Sequence, residues 1–146
     1  MKSALTLFEI EFGNLPDSTF KQLESQVNER GDVVKTYVKY YDQILLNLFD
    51  ELEIFLIGKT GKNYVFSNSL YEEHLIPALK RLVNQLIDIY GLDDLDDGKF
   101  SALDIESINN DLWTGRMWTE GEGFDHCMIN CNFDEGISMT VFTKQR

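Results

Sequence analysis

The chain has 146 residues, 43% of them hydrophobic, with 10 Phe and 6 Tyr; that is one domain's length, with too much apolar bulk for a disordered chain. Twenty-five acidic against 13 basic residues leave a net charge of −12, which argues against wrapping nucleic acid or docking on anionic lipid, since both need a basic footprint. Glu9 and Glu11 interrupt the stretch where a secretory signal stays apolar, and no apolar run approaches the roughly 20 residues that span a bilayer.

Phe8, Ile10 and Phe12 alternate with Glu9 and Glu11, predicting a strand with one wet face. Asn14 to Asp17 then reads as a turn, with Asp17 or Ser18 capping a helix through Phe20, Leu23 and Val27, broken at Gly31. Val34, Val38, Tyr41, Leu45, Leu48, Leu52 and Phe55 recur at intervals of 4 and 3, the spacing of a helical stripe. Leu75, Leu79, Leu82, Leu86 and Ile89 repeat it, after a capping-box pattern at Ser69 to Glu72 and before Gly91, a suitable C-terminal cap. Pro77 should kink this second helix or mark its first turn. Tyr37, Tyr40, Ile44, Phe49, Val83 and Ile87 lie off the seam. So broad an apolar face suits a globular core better than a coiled-coil dimer or an assembly seam.

Residues 99–112 fit a short helix capped at Ser101 and carrying Leu103, Ile108 and Leu112. Arg116 to Glu120 predicts a strand. Cys127, Ile129, Cys131 and Phe133, then Ile137, Met139 and Val141, alternate on either side of Asp134-Glu135-Gly136, which predicts a hairpin of 125–133 and 137–143. The expected architecture is a single α+β domain over 1–146. N-terminal helices, among them an antiparallel helical hairpin, would pack with a small C-terminal antiparallel β-sheet.

Motifs for chemistry are weak. Asp93 to Asp104 partly resembles a calcium loop, but Leu95 occupies a ligand position and Asp104 replaces the longer bidentate Glu. Cys127 and Cys131 would sit about 13 Å apart on one side of a strand at roughly 3.3 Å per residue, too far for one zinc ion or a disulfide. They read as small core residues, with His126 pointing the other way. Two cysteines make no disulfide framework, so a reducing cytoplasm is the expected compartment. Gly58 to Lys62 lacks the spacing of a phosphate loop and reads as a basic turn. His74, beside Glu72 and Glu73, reads as a surface histidine near a helix start rather than a general base. No metal or cofactor is expected. The alternative is a small metal-binding protein or enzyme using the acidic 93–104 loop.

The electrostatic field is the strongest signal. Residues 1–90 carry 13 acids and 9 bases, whereas 91–146 carry 12 acids and only 4 bases. Asp93, Asp94, Asp96, Asp97, Asp104, Glu106 and Asp111 fall within nineteen residues, opposed by Lys99 alone, with Trp113, Trp118 and Phe124 close behind. Aromatic anchors ringed by charge suit a binding face, in which the field speeds encounter and the rings supply affinity. In size, acidity and this acidic-aromatic stretch from Asp93 to Phe124, the chain resembles the small acidic immunity proteins of bacterial toxin systems. That resemblance implies a non-enzymatic inhibitor, monomeric before binding, that occludes a basic toxin domain, a nuclease being one kind that would fit. The seven carboxylates would steer the encounter, and Trp113 and Trp118 would anchor it.

Overall fold

A computed structural model describes residues 15–44, 48–68, 72–119 and 124–144. The strand expected at Phe8 to Phe12 and the capping box at Ser69 lie outside them. Among the described residues the fold is dominated by an eight-stranded antiparallel sheet. Its strands are β1 (Lys21–Gln22), β2 (Gln26–Val27), β3 (Val33–Ile44), β4 (Phe49–Ile57), β5 (Gly61–Asn68), β6 (Arg116–Trp118), β7 (His126–Asn132) and β8 (Gly136–Lys144). Their order is β1-β3-β4-β5-β8-β7-β6, with β2 also pairing β3. The described residues also form two helices, α1 (Glu72–Tyr90) and α2 (Ala102–Asn109).

The expected N-terminal helical hairpin is therefore corrected, and with it the α+β arrangement of helices against a small sheet. Of the stripe from Val34 to Phe55, Val34, Val38 and Tyr41 belong to β3 and Leu52 and Phe55 to β4, Leu48 sits in the turn before β4 and Leu45 lies outside the described residues; the two strands pair antiparallel from Val34↔Ile57 to Ile44↔Phe49. Val33, Val34, Thr36 and Val38, with Tyr37, Tyr40 and Tyr41, are β-branched and aromatic residues that suit a pleated surface better than a helix. The helix expected through Phe20, Leu23 and Val27 is likewise replaced by β1 and β2. Asp17 instead accepts a hydrogen bond from the Thr19 amide at 2.9 Å, closing a turn. Gly58 to Gly61 forms the turn between β4 and β5, as expected of that basic segment.

Cross-strand partners share a face. Ile54, Tyr64 and Val141 form one row; Leu52, Phe66, Met139 and Ile129 form the next, and all seven side chains are buried. α1 covers this face. Leu75, Leu79, Leu82, Val83 and Leu86 are fully buried, each contributing about 1.5–3 kcal/mol by leaving water. Lys80, Arg81 and Asp88 face outward. Pro77 lies within α1 on its exposed side, where it lacks the N–H that would return to the carbonyl of residue 73. The helix ends as its sequence suggests, with the Gly91 amide donating to Ile87 O at 2.8 Å. No helix among the described residues is long and apolar enough to cross a membrane.

The C-terminal hairpin forms from Asn132↔Gly136 to His126↔Phe142, and β6 pairs with β7. Cys127 and Cys131 are buried free thiols on the core face, where burial pushes them up to about 12 and about 11 respectively; neither is poised to ionise. His126 is exposed on the opposite face, its ring 5.7 Å from that of Phe142.

Candidate partner-binding site

The acidic segment leaves α1 at Gly91 and returns along the sheet edge, and its backbone is tied down at several points. Phe100 N donates to Asn84 Oδ1 at 2.8 Å, fastening the loop to α1. Asp94 N donates to Met117 O at 2.8 Å, and Asp94 Oδ1 accepts from Thr119 N at 3.2 Å, which covers the outer side of β6. Ser101 and Asp104 form a reciprocal capping box that starts α2. Asp96 and Asp111 both take left-handed backbone, φ 54° and 58°, a conformation that aspartate tolerates better than most residues.

Beneath this segment lies a buried ionic clasp. Arg116, 2% exposed, donates from Nη1 to Asp93 Oδ1 at 3.1 Å and to the Gly98 carbonyl. Its Nη2 donates to both oxygens of Asp104, at 3.0 and 2.9 Å. Trp113 Nε1 adds a bond to Asp104 Oδ1 at 3.0 Å. Burial alone would raise the Asp104 pKa. Hydrogen bonds from Trp113, the Ser101 backbone and Arg116, together with the guanidinium charge, outweigh it and hold the carboxyl below its ordinary value. Gly115 seats Arg116 in this position, because with φ +88° a Cβ there would lie 2.4 Å from the Ile129 carbonyl oxygen.

The nine expected partner-binding residues therefore divide. Asp94, Asp96, Asp97, Glu106 and Asp111 are exposed, and Trp113 is half-buried beside them. Asp93, Asp104 and Trp118 are buried, which corrects the expectation that they face a partner. The two aspartates are spent on Arg116, and Trp118 Nε1 donates to the Gly91 carbonyl at 3.0 Å while its ring fills the core. The calcium-loop alternative loses its two terminal ligands the same way, since the cation between those carboxylates is a guanidinium. Among the described residues no three His, Cys, Asp or Glu side chains converge to hold a metal ion. His74 is exposed, its Nε2 3.4 Å from Glu73 Oε1.

Four features were not anticipated. Arg116 is the counter-charge; the scarcity of bases after residue 90 and its alternation with Trp118 on one strand face were the available signals. Leu95, Leu103 and Leu112 are 72%, 74% and 72% exposed, whereas most of the other described leucines fill the core. A hollow of about 290 Å³ opens among these leucines, Asp97, Trp113 and Arg116. A second acidic hollow of about 660 Å³ is lined by Tyr40, Tyr41, Asp50, Glu51, Asp134 and Glu135.

Register puts both hollows at one end of the sheet. Tyr40 pairs with Glu51, Glu51 with Ser67, and Asn68 with Ile137, next to the turn that carries Asp134 and Glu135. Arg116 pairs with Ile129, so the chain preceding it runs back toward that same turn. Five interstrand gaps of about 4.8 Å separate β3 from β6, a reach of roughly 24 Å.

No protein-family model, curated protein or solved structure matches this chain.

Proposed function

We propose that this chain is a non-enzymatic acidic binding protein that captures a basic protein partner on the 94–113 face, in the manner of the toxin-neutralising immunity proteins it resembles. One observation carries the reading: five exposed carboxylates and three exposed leucines are held on one short segment by the clasp beneath it. A face whose charges repel one another destabilises the fold unless it meets water or a cation-rich surface. Here the segment also spends two carboxylates, a tryptophan and a capping box on holding its shape, which favours presentation over mere solvation. Asp94, Asp96, Asp97, Glu106 and Asp111 steer the partner, and Trp113 lies at the centre of contact. The chain acts as a monomer before binding, in the cytoplasm, a compartment that suits its two free buried cysteines.

The test is kinetic. A basic protein captured from the source cells at low salt should associate with a rate constant that falls at least ten-fold on raising the salt from about 20 to 200 mM. Neutralising Asp94, Asp96, Asp97 and Glu106 together should lower the low-salt rate comparably while leaving the circular dichroism spectrum unchanged. An association rate indifferent to both salt and these substitutions overturns the assignment.

A further inference from the structure

The leucine-lined hollow has a composition that plain charge steering does not call for. Three leucines, each more than 70% exposed, stand around a cavity of about 290 Å³ that the exposed Asp97 also lines, with the exposed Asp94, Asp96 and Glu106 carried on the adjoining loop and helix. Single exposed apolar residues are ordinary on protein surfaces; three converging on one concavity beside a half-buried indole are a contact patch. Arg116, which lines the same hollow and is 2% exposed, has no acceptor for Nε in the structure, but that atom is sealed from solvent, so the floor presents no free donor to a ligand. Its other nitrogens are engaged by Asp93, Asp104 and the Gly98 carbonyl. A ligand fitted to this place brings apolar bulk for the leucines and positive charge for the rim.

We infer that the hollow between α2 and the 91–97 loop receives a basic polypeptide segment in which an apolar side chain is flanked by lysines or arginines. The apolar group lies against Leu95, Leu103, Leu112 and the Trp113 ring. The flanking cations meet Asp94, Asp96, Asp97 and Glu106. This inference rests on the binding reading above and specifies its partner: charge brings the segment in, and the leucines select for an apolar residue within it. Trp113 is the natural reporter, because it lines the hollow whereas Trp118 is sealed in the core.

Two synthetic peptides of equal charge, KKLKKLKK and KKSKKSKK, separate the contributions. Titrated into the full chain at low salt and followed by tryptophan fluorescence and calorimetry, the leucine peptide should bind at least ten-fold more tightly than the serine peptide. In the L103S/L112S double variant that preference should disappear, with affinity for the serine peptide unchanged. In the D94N/D96N/D97N variant both peptides should weaken together. Salt-sensitive binding of both peptides with no preference between them, or a preference that survives L103S/L112S, overturns this inference and leaves the acidic-face reading standing. Failure of both peptides to bind at low salt overturns both readings.

Discussion

The two acidic hollows at the end of the sheet are built on opposite plans. At the 93–116 site two carboxylates are buried against a guanidinium, and the exposed acids around them ride on a frame fixed by that ion pair. At the other hollow, Glu51 accepts a hydrogen bond from the Ser67 hydroxyl at 3.1 Å. Burial, and then the neighbouring Glu51, push Glu53 above its ordinary value. Tyr40 stands 72% exposed at its mouth. A carboxylate matched by a buried counter-charge shapes the backbone; one matched by a hydroxyl and water mainly contributes field. The first arrangement fixes the shape of the surface above it, and the second broadens the negative potential along the same rim.

The sharpest way to break this distinction is to remove the counter-charge. Arg116→Met keeps most of the aliphatic stem but leaves Asp93 and Asp104 facing each other under the loop. Breaking a buried pair in this way costs about 3–5 kcal/mol, a large share of the roughly 5–15 kcal/mol that holds a domain folded. The corresponding change at the other hollow, Glu51→Gln, removes the charge but keeps an oxygen that can accept from Ser67, and should cost about 1 kcal/mol or less. Urea unfolding midpoints measure both. Equal shifts would mean that the clasp is no more structural than the rim.

Asp104 gives the same contrast a pH signature. Its folded pKa is depressed relative to the unfolded chain, so its charge contributes stability that is fully present above the unfolded value and is lost as pH falls through the folded one. Asp104→Asn removes that contribution, at a cost of about 2 kcal/mol at neutral pH, from the range for hydrogen bonds to charged groups. The stability gap between the two proteins should stay level from about pH 7 to 5 and close as the pH drops below 3.8, the ordinary value for this side chain. Denaturant melts at three pH values check it. A gap that widened in acid would put the wrong sign on the clasp.

How far the sequence disclosed these arrangements depended on whether one face of each element stays wet. β7 and β8 alternate buried Cys127, Ile129 and Cys131, then Ile137, Met139 and Val141, with exposed or half-exposed residues, so a period of two is visible. α1 has a broad buried face against Lys80, Arg81 and Asp88, so its helical period is equally plain. β3 and β4 carry apolar groups on both faces: Tyr37 and Ile54 turn toward the core, while Val38 is also buried and Phe55 and Ile57 are half-covered on the other side. Such a strand pair mimics a 4-and-3 spacing, and its run of valines and tyrosines was the better guide. At the site, charge density and the capping box could be read from the chain. Which aspartates turn inward could not, because that depends on Arg116 reaching them across 23 and 12 residues of sequence.

The smallest effects fall where side chains touch nothing that folds the protein. Leu103→Ser and Leu112→Ser remove apolar groups that are already more than 70% exposed, so little surface returns to water on unfolding and stability should move by no more than about 0.5 kcal/mol. A buried leucine of α1 responds differently. Leu82→Ala leaves a cavity beneath the helix and should cost about 2–5 kcal/mol. The pair of measurements decides what the exposed leucines are for. Had Leu103 and Leu112 been pinning α2 to the sheet, their loss would lower the thermal midpoint by several degrees, as expected for a change above 1 kcal/mol in a domain of this size. An unchanged midpoint means that the fold does not need them where they stand. Their placement around the hollow then follows from what they contact outside the molecule, and the second hollow, ringed by tyrosines and carboxylates without leucines, should show no comparable preference for an apolar ligand.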